Sequence, residues 1–179
     1  MTTVIDAGRC ILREWRLTDE EALARQANDR RVSIDLRDRF PYPYTTAHAA
    51  EWLRKNVGAD PVTAFAITEP GSDEPLGGVG LMLQEDVHRI CAEMGYWLGV
   101  TAWGRGLATA AVKAATAYGF DTLGLERIFA VANTRNRGSV RVLEKVGYAL
   151  EGTMRRNAIK EGVLLDQFMY AALKTEWPR

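Results

Sequence analysis

A glycine-rich turn between a strand pattern and an alanine-rich helix pattern constrains this sequence more than any other feature. The segment reads Gly99-Val-Thr-Ala-Trp-Gly-Arg-Gly-Leu-Ala-Thr109. Glycines let backbone N–H groups approach a ligand closely, and a helix start carries about half a unit of positive charge. The segment therefore predicts a cradle for a pyrophosphate. Arg105, which has no obvious carboxylate beside it in the sequence, is consistent with an anionic ligand.

Three alternatives compete with the cradle at this turn. A Walker A loop needs Gly-x4-Gly-Lys-Ser/Thr, which this sequence does not contain. A Rossmann fingerprint needs glycine or alanine where Thr109 stands, and it should follow the first strand of its fold. A tight strand-to-helix turn that binds nothing also fits a lone glycine motif. The segment by itself leaves this last alternative open.

The remaining sequence alternates strand and helix patterns. Seven strands are predicted, at residues 9–15, 62–68, 76–84, 88–98, 127–133, 148–155 and 163–173. Helices are predicted from a Thr18–Glu21 capping box to Asn28, after Thr45 or Thr46, from the glycine turn to Phe120, and from Asn136 to Gly147. The third helix is expected to bury one face against the core, and this stripe consists of Leu107, Ala110, Ala111, Ala114 and Ala117. Residues 30–44 are expected to be irregular.

Composition fits one folded domain over residues 1–179. The sequence is 47% hydrophobic and 26% charged, close to the averages of folded proteins. Lys plus Arg and Asp plus Glu each number 23, so the formal net charge is zero and no nucleic-acid partner is expected. Two cysteines and two histidines supply neither a disulfide framework nor a metal site. Without a signal-peptide pattern or a membrane-spanning apolar run, we expect a cytoplasmic protein.

The glycine turn and its surroundings resemble the GNAT N-acetyltransferase superfamily, in the branch of the ribosomal-protein acetyltransferases RimJ and RimL. Trp103-Gly-Arg-Gly-Leu-Ala108 is similar to the acetyl-CoA pyrophosphate loop, Gln/Arg-x-x-Gly-x-Gly/Ala. Trp103 replaces the first Gln or Arg, as is common in this branch. Further similar segments follow in the same order along the chain, at 12–19, 40–53, 92–98, 136–148 and 162–170.

The resemblance implies an α/β fold of three layers, the GNAT fold. Its mostly antiparallel, seven-stranded sheet splays at a central parallel βαβ junction and carries helices on both faces. The implied activity is transfer of an acetyl group from acetyl-CoA to a primary amine by direct attack in a ternary complex, without a metal. The acceptor is a protein N-terminus or a small amine. Residues 30–60 are expected to select between them, but their sequence does not show which one they select. Relatives are often dimers, which makes a homodimer an open expectation, and a non-catalytic CoA-binding module is the alternative function.

The resemblance also assigns residues to the CoA molecule. Leu98, Gly99 and Val100 would contact the pantetheine arm and the acetyl carbonyl, with a backbone N–H near Leu98 as the oxyanion donor. The pyrophosphate would lie against Arg105, Gly106, Leu107, Ala108 and Thr109. Asn133 and Asn136 would touch the pantetheine and adenosine portions. The cations Arg135, Arg137 and Arg141 would face the phosphates and leave the acceptor side free to be acidic.

Two residues are candidates for general acid–base catalysis. By resemblance, Glu93 binds the amine and removes its proton, through water. An ion-paired glutamate on a half-exposed strand face is the alternative. Many GNAT enzymes place a tyrosine acid where Leu143 stands, so that acid is missing here. The RimJ/RimL branch has a serine at the position of Ser139, whose hydroxyl would donate to the thiolate, unless it bonds to local backbone.

Overall fold

The strands form one mixed sheet in the computed structural model, which describes residues 2–178. They are β1 Val4–Asp6, β2 Ile11–Glu14, β3 Ala64–Thr68, β4 Gly77–Leu83, β5 Cys91–Leu98, β6 Arg127–Asn133, β7 Ala149–Lys160 and β8 Val163–Leu173. Their order is β1-β2-β3-β4-β5-β6-β8-β7, and every neighbouring pair is antiparallel except β5 and β6. This confirms the expected sheet, with 8 strands instead of seven. The missed strand, β1, has only 3 residues.

Helices cover both faces of the sheet, as expected. They are α1 Glu20–Ala27, α2 Arg30–Ser33, α3 Thr46–Asn56, α4 Leu107–Asp121 and α5 Arg137–Val146. The single turn α2 was not predicted, because residues 30–44 were expected to be irregular; Asp29 caps it by accepting from the Arg31 N–H. Side chains alternate along β3, so Phe65 and Ile67 pack with α4 and α5 whereas Ala66 packs with α1 and α3. Within residues 2–178, no helix combines the length and apolar character that crossing a membrane requires.

The inward face of α4 differs from the predicted stripe. Leu107 and Ala111 are buried as expected, but the other three members of the stripe, Ala110, Ala114 and Ala117, are only half-buried. The helix instead turns inward a face that includes Val112, Ala115, Thr116, Gly119 and Phe120. Small apolar residues occur on all sides of α4, so the spacing of apolar positions in the sequence does not single out one buried face. Gly119 sets the contact, since a Cβ there would lie 2.6 Å from Ile128 Cδ1 on β6.

The start of α1 is organised by a buried ion pair and not by the predicted Thr18–Glu21 capping box. A 3-10 turn, Leu17–Asp19, precedes the helix. Asp19 accepts hydrogen bonds from the Arg16 N–H at 2.8 Å and from both terminal nitrogens of Arg13, each at 2.8 Å. The side chains of Arg13 and Asp19 are 4% and 7% exposed, so the pair joins β2 to α1 inside the protein.

The other predicted helix ends are confirmed. Thr45 caps α3 by accepting from the His48 N–H, and Asn136 caps α5 by accepting from the Ser139 N–H at 3.0 Å. Gly147 ends α5 with φ of 100°, a conformation that suits glycine. These ends could be predicted because each depends on a few consecutive residues.

Strands β5 and β6 separate halfway along their length, which confirms the expected splay. They pair only through Cys91–Arg127, Ala92–Ile128 and Glu93–Phe129, although β5 continues to Leu98 and β6 to Asn133. On its other side β5 pairs with β4, where the Gly99 N–H donates to the Leu76 carbonyl at 2.8 Å. Hydrogen-bonded positions alternate along an antiparallel strand. The backbone groups of Leu98 therefore point into the gap.

The buried pair of Arg13 and Asp19 gives a stability prediction. Asp19→Ala leaves the buried guanidinium of Arg13 with only the exposed carboxylate of Asp73, 3.9 Å away, and should lower the free energy of unfolding by about 3–5 kcal/mol. Urea denaturation measures the change. Glu74→Gln, which breaks the exposed Arg25–Glu74 pair, is the control and should hardly move the midpoint. A loss below about 1 kcal/mol for Asp19→Ala would contradict the assigned role, since that is the range of exposed pairs.

Candidate functional site

A cleft with a volume of about 1760 Å³ passes through the gap between β5 and β6. One end is lined by the glycine turn and the first turns of α4 and α5. The other end lies beneath residues 34–40, which we call the acceptor segment, and is closed by the end of β7. The gap thus connects the two faces of the sheet.

The glycine turn presents free backbone N–H groups to this cleft. Gly104 and Gly106 have φ of 73° and 78°, in the left-handed region that favours glycine. The first helical bond after the turn runs from the Ala110 N–H to the Gly106 carbonyl, so the three preceding N–H groups of α4 have no helical acceptor. Leu107, Ala108 and Thr109 all line the cleft. The helix start therefore offers the cleft N–H donors and a partial positive charge.

Trp103 closes the turn onto the end of β5. Its indole Nε1–H donates to the Leu98 carbonyl at 2.8 Å, which satisfies one of the two backbone groups of Leu98 in the gap. The Leu98 N–H has no strand partner there, because β5 and β6 stop pairing at Glu93 and Phe129. Leu98 lines the cleft, whereas Gly99 and Val100 are not part of its wall. Gly99 instead packs on α1, where a Cβ would lie 2.0 Å from Gln26 Oε1.

Arg105 does have a carboxylate beside it, which corrects the sequence expectation. Its guanidinium forms an ion pair with Glu69, which directly follows β3. The side chains are 45% and 40% exposed, and Arg105 does not line the cleft. The partner was missed because it lies 36 residues away in the sequence.

The cations of the α5 region divide into two groups. Arg137, Arg141 and Lys145 follow each other at one-turn spacing, line the cleft and have no carboxylate partner among residues 2–178. Arg135 differs from the expectation, because its Nε donates to Asp35 at 2.9 Å and its Nη2 to the Ile34 carbonyl at 3.0 Å. Arg135 therefore binds the acceptor segment.

The two asparagines on the cleft wall are both engaged by protein groups. Asn133 is buried, donates to Asp35 Oδ1 at 3.0 Å and accepts from Gln167 Nε2 at 2.9 Å. Asn136 uses its side-chain oxygen to cap α5. Both residues line the cleft, with the Asn133 side chain fixed between β8 and the acceptor segment.

Glu93 lies in the cleft wall, where its side chain is 15% exposed and forms an ion pair with Arg37 of the acceptor segment. Met82 faces Glu93 across β4 and β5. The Arg37 Nη1 lies 4.0 Å and the Arg39 Nη2 2.8 Å from the Met82 sulfur. One carboxylate and two guanidinium groups therefore meet at this point.

Ser139 directs its hydroxyl toward β5 and away from its own helix cap. The cap uses the Ser139 N–H, while the Ser139 Oγ lies 2.7 Å from the Tyr96 hydroxyl oxygen. Tyr96 also donates to the Ser139 carbonyl at 3.1 Å. Burial raises the pKa of Tyr96 to about 12, against the smaller opposing effect of its bond to Ser139. The phenol is therefore neutral through the physiological range.

Tyr96 is a cleft residue to which the sequence pattern alone assigned no role. It belongs to the face of β5 that also holds Ala92, Met94 and Leu98, all buried. A hydroxyl-bearing side chain within an otherwise apolar strand face is the signal that could have found it.

Aromatic rings build the cleft wall near the acceptor segment. Trp15 packs edge-on against Trp52 with ring centroids 5.2 Å apart, and Phe40 contacts both Tyr44 and Trp97 at 4.8 and 5.2 Å. All five rings line the cleft.

The charge of this wall differs from the acidic acceptor side that the sequence suggested. Six cationic side chains line it, namely Arg31, Arg37, Arg39, Lys55, Arg135 and Lys160. Three carboxylates, those of Asp35, Asp38 and Glu93, face them. Asp29 and Glu51 pair with two of these cations from outside the wall, so the half of the cleft away from the glycine turn keeps a small excess of positive charge.

Comparison with known proteins adds four similarities. A family model described as an acetyltransferase (GNAT) domain matches residues 9–149. The uncharacterized N-acetyltransferase p20 of Bacillus licheniformis is 30% identical over 94% of this chain and 95% of its own length. The spermidine N(1)-acetyltransferase of Escherichia coli K12 is 30% identical over 54% of this chain and 56% of its own. The solved structure of RimL, a ribosomal L7/L12 α-N-protein acetyltransferase in complex with coenzyme A, has a TM-score of 0.84 at 19% identity, over 96% of this chain and 98% of that one.

Proposed function

The chain belongs to the GNAT acetyltransferase family and is an acetyl-CoA-dependent N-acetyltransferase, and we propose that it acetylates a protein N-terminal amine or a small primary amine in the cleft described above. The family confirms the resemblance seen in the sequence. The gap between β5 and β6, with its unpaired Leu98 N–H, is the observation that carries the proposal. We also propose that residues 1–179 act as one domain, since one sheet extends from β1 to β8.

The residues at one end of the cleft suit the CoA moiety of acetyl-CoA. The free N–H groups at the start of α4 and the cations Arg137 and Arg141 suit phosphates, because a helix start and guanidinium groups both bind such anions. The gap suits the amide groups of the pantetheine arm, which can bond to unpaired strand backbone. Leu107, Ala108 and Thr109 contribute backbone, while Arg105 would first have to leave Glu69.

When bound, acetyl-CoA supplies a thioester whose acetyl group passes to the amine. The Leu98 N–H acts as the oxyanion donor, a role for which one donor is worth about 3–4 kcal/mol. Glu93 holds the amine and accepts its proton, directly or through water, once Arg37 shares the carboxylate. Over the whole reaction, the amine loses one proton and the leaving thiolate gains one.

Ser139 assists the leaving thiolate by donating a hydrogen bond from its hydroxyl. For this donation Tyr96 gives its single proton to the Ser139 Oγ, 2.7 Å away, and not to the Ser139 carbonyl, which fixes the direction of the serine hydroxyl. With a pKa of about 12, Tyr96 keeps its proton and acts as a positioning residue. The side chain of Leu143 is buried and carries no acid, so this pair takes the place of the tyrosine acid found in many relatives.

The glycine turn gives a binding prediction. Gly106→Glu places a carboxylate at the phosphate cradle and strains a residue with φ of 78°, and should weaken CoA binding by about a hundredfold or more. Isothermal titration calorimetry with CoA measures it. Gly124→Glu is the matched control, because Gly124 has φ of 68°, open space around it and no place in the cleft wall. Equal CoA affinity in both variants would contradict the assignment of the glycine turn as the pyrophosphate site.

The Tyr96–Ser139 pair gives a kinetic prediction. Ser139→Ala should lower kcat by about tenfold to a hundredfold, with little change in the KM for acetyl-CoA. Tyr96→Phe should give a smaller loss of kcat. Its pH profile below pH 10 should keep the wild-type shape, because burial raises the pKa of Tyr96 to about 12 and leaves it protonated throughout. Full activity in Ser139→Ala would leave only a structural role for the hydroxyl.

Glu93 gives a prediction that separates its two roles. Glu93→Gln keeps the size of the side chain and should lower kcat by about a hundredfold or more if the carboxylate accepts the amine proton. CoA release in the presence of acceptor measures the rate. Glu151→Gln breaks the Arg127–Glu151 pair outside the cleft and should leave the rate unchanged. A Glu93→Gln protein with a lower melting temperature and normal kcat would favour the plain ion pair.

A further inference from the structure

We propose that the amine acceptor carries an acidic group, a carboxylate or a phosphate ester, and that this group binds Arg39 together with Arg37. The inference rests on the proposed function, because it concerns the acceptor of the same reaction. It narrows the acceptor from primary amines in general to amines that bear an anionic group close to the reacting nitrogen.

The first observation is the pairing of the cations on the acceptor wall. Arg31 binds Asp29, Arg135 binds Asp35, and Lys160 binds Asp38. Lys55 binds Glu51, and Arg37 binds Glu93. Among residues 2–178, Arg39 has no carboxylate partner, although it is exposed to the cleft. Arg39 is therefore the one cation of the acceptor wall whose charge no carboxylate of the described residues neutralises.

The second observation is the position of Arg39. Its Nη2 lies 2.8 Å from the Met82 sulfur, and the Arg37 Nη1 reaches the same sulfur at 4.0 Å. A thioether is only a weak acceptor, so it does not satisfy a guanidinium. Glu93 pairs with Met82 in the strand register and supplies the one carboxylate at this point. The result is a pair of guanidinium groups beside one thioether sulfur, of which only Arg37 has a carboxylate partner.

This arrangement fits an acceptor held at two points. Its amine binds Glu93, and its acidic group binds Arg39 and the face of Arg37 that Glu93 leaves free. Guanidinium groups bind carboxylates and phosphates through paired hydrogen bonds. The short distances among these side chains require the two groups of the acceptor to lie within a few bonds of each other. A polyamine would instead bring several positive charges to a net positive wall, which costs binding energy.

The acceptors that test this come in matched pairs. The peptides Asp-Ser-Ala-Ala and Asn-Ser-Ala-Ala, both amidated, differ only in the charge of the first side chain, and O-phosphoethanolamine with ethanolamine makes the same comparison for a phosphate. Spermidine represents cationic acceptors. We expect kcat/KM to be about tenfold or more higher for the acidic member of at least one pair, and higher than for spermidine. The preference should shrink as NaCl is raised.

Arg39→Ala should remove most of the preference for the acidic acceptor over its neutral partner, and Arg37 should account for any preference that remains. Arg39→Lys should retain part of the preference. Arg31→Ala is the matched control, because Arg31 lines the same wall and is already paired with Asp29. Equal rates within both pairs, a higher rate with spermidine, or an unchanged preference in Arg39→Ala would overturn the inference. Release of CoA with none of these amines would instead contradict the proposed function.

Discussion

The separation of β5 and β6 after Glu93 and Phe129 is the constraint on which the site depends. Strands that stop pairing leave N–H and C=O groups that need partners, since an unsatisfied buried group costs about 1–3 kcal/mol. The Trp103 indole satisfies the Leu98 carbonyl, and the Leu98 N–H remains directed into the gap. The gap is therefore where polar groups of a ligand can replace the missing strand.

The position of α4 follows from the same pair of strands. Parallel neighbours need a crossover, and their carboxyl ends meet at one edge of the sheet, where a connecting helix begins. The glycine turn lets the chain reverse directly after β5, and Gly119 lets α4 lie close to Ile128 of β6. The start of the helix thus lies at the open end of the gap. A positive helix end and unpaired strand backbone are brought together by one βαβ unit.

Local signals in the sequence predicted much of this, whereas contacts between distant residues could not be predicted. The strand before the glycine turn and the ends of α5 depend on the backbone chemistry of a few neighbouring residues. Arg105 with Glu69, Arg135 with Asp35, and Ser139 with Tyr96 are 36, 100 and 43 residues apart. Their meeting follows from the order of strands in the sheet. The face of α4 was misassigned for a different reason, because small apolar residues on all sides leave the choice of face to packing.

Asp35 links the acceptor segment to the strand that borders the gap through hydrogen bonds. One of its oxygens accepts from Asn133 at 3.0 Å and from Arg135 at 2.9 Å, which ties the acceptor segment to the end of β6. Asn133 is in turn held by Gln167 of β8. Two residues after Asp35, Arg37 reaches Glu93, so the environment of the carboxylate depends on where β6 ends. A buried asparagine at that end therefore acts as a fixed link between strand and segment, and the amine side of the cleft takes its geometry from the strand that borders the gap.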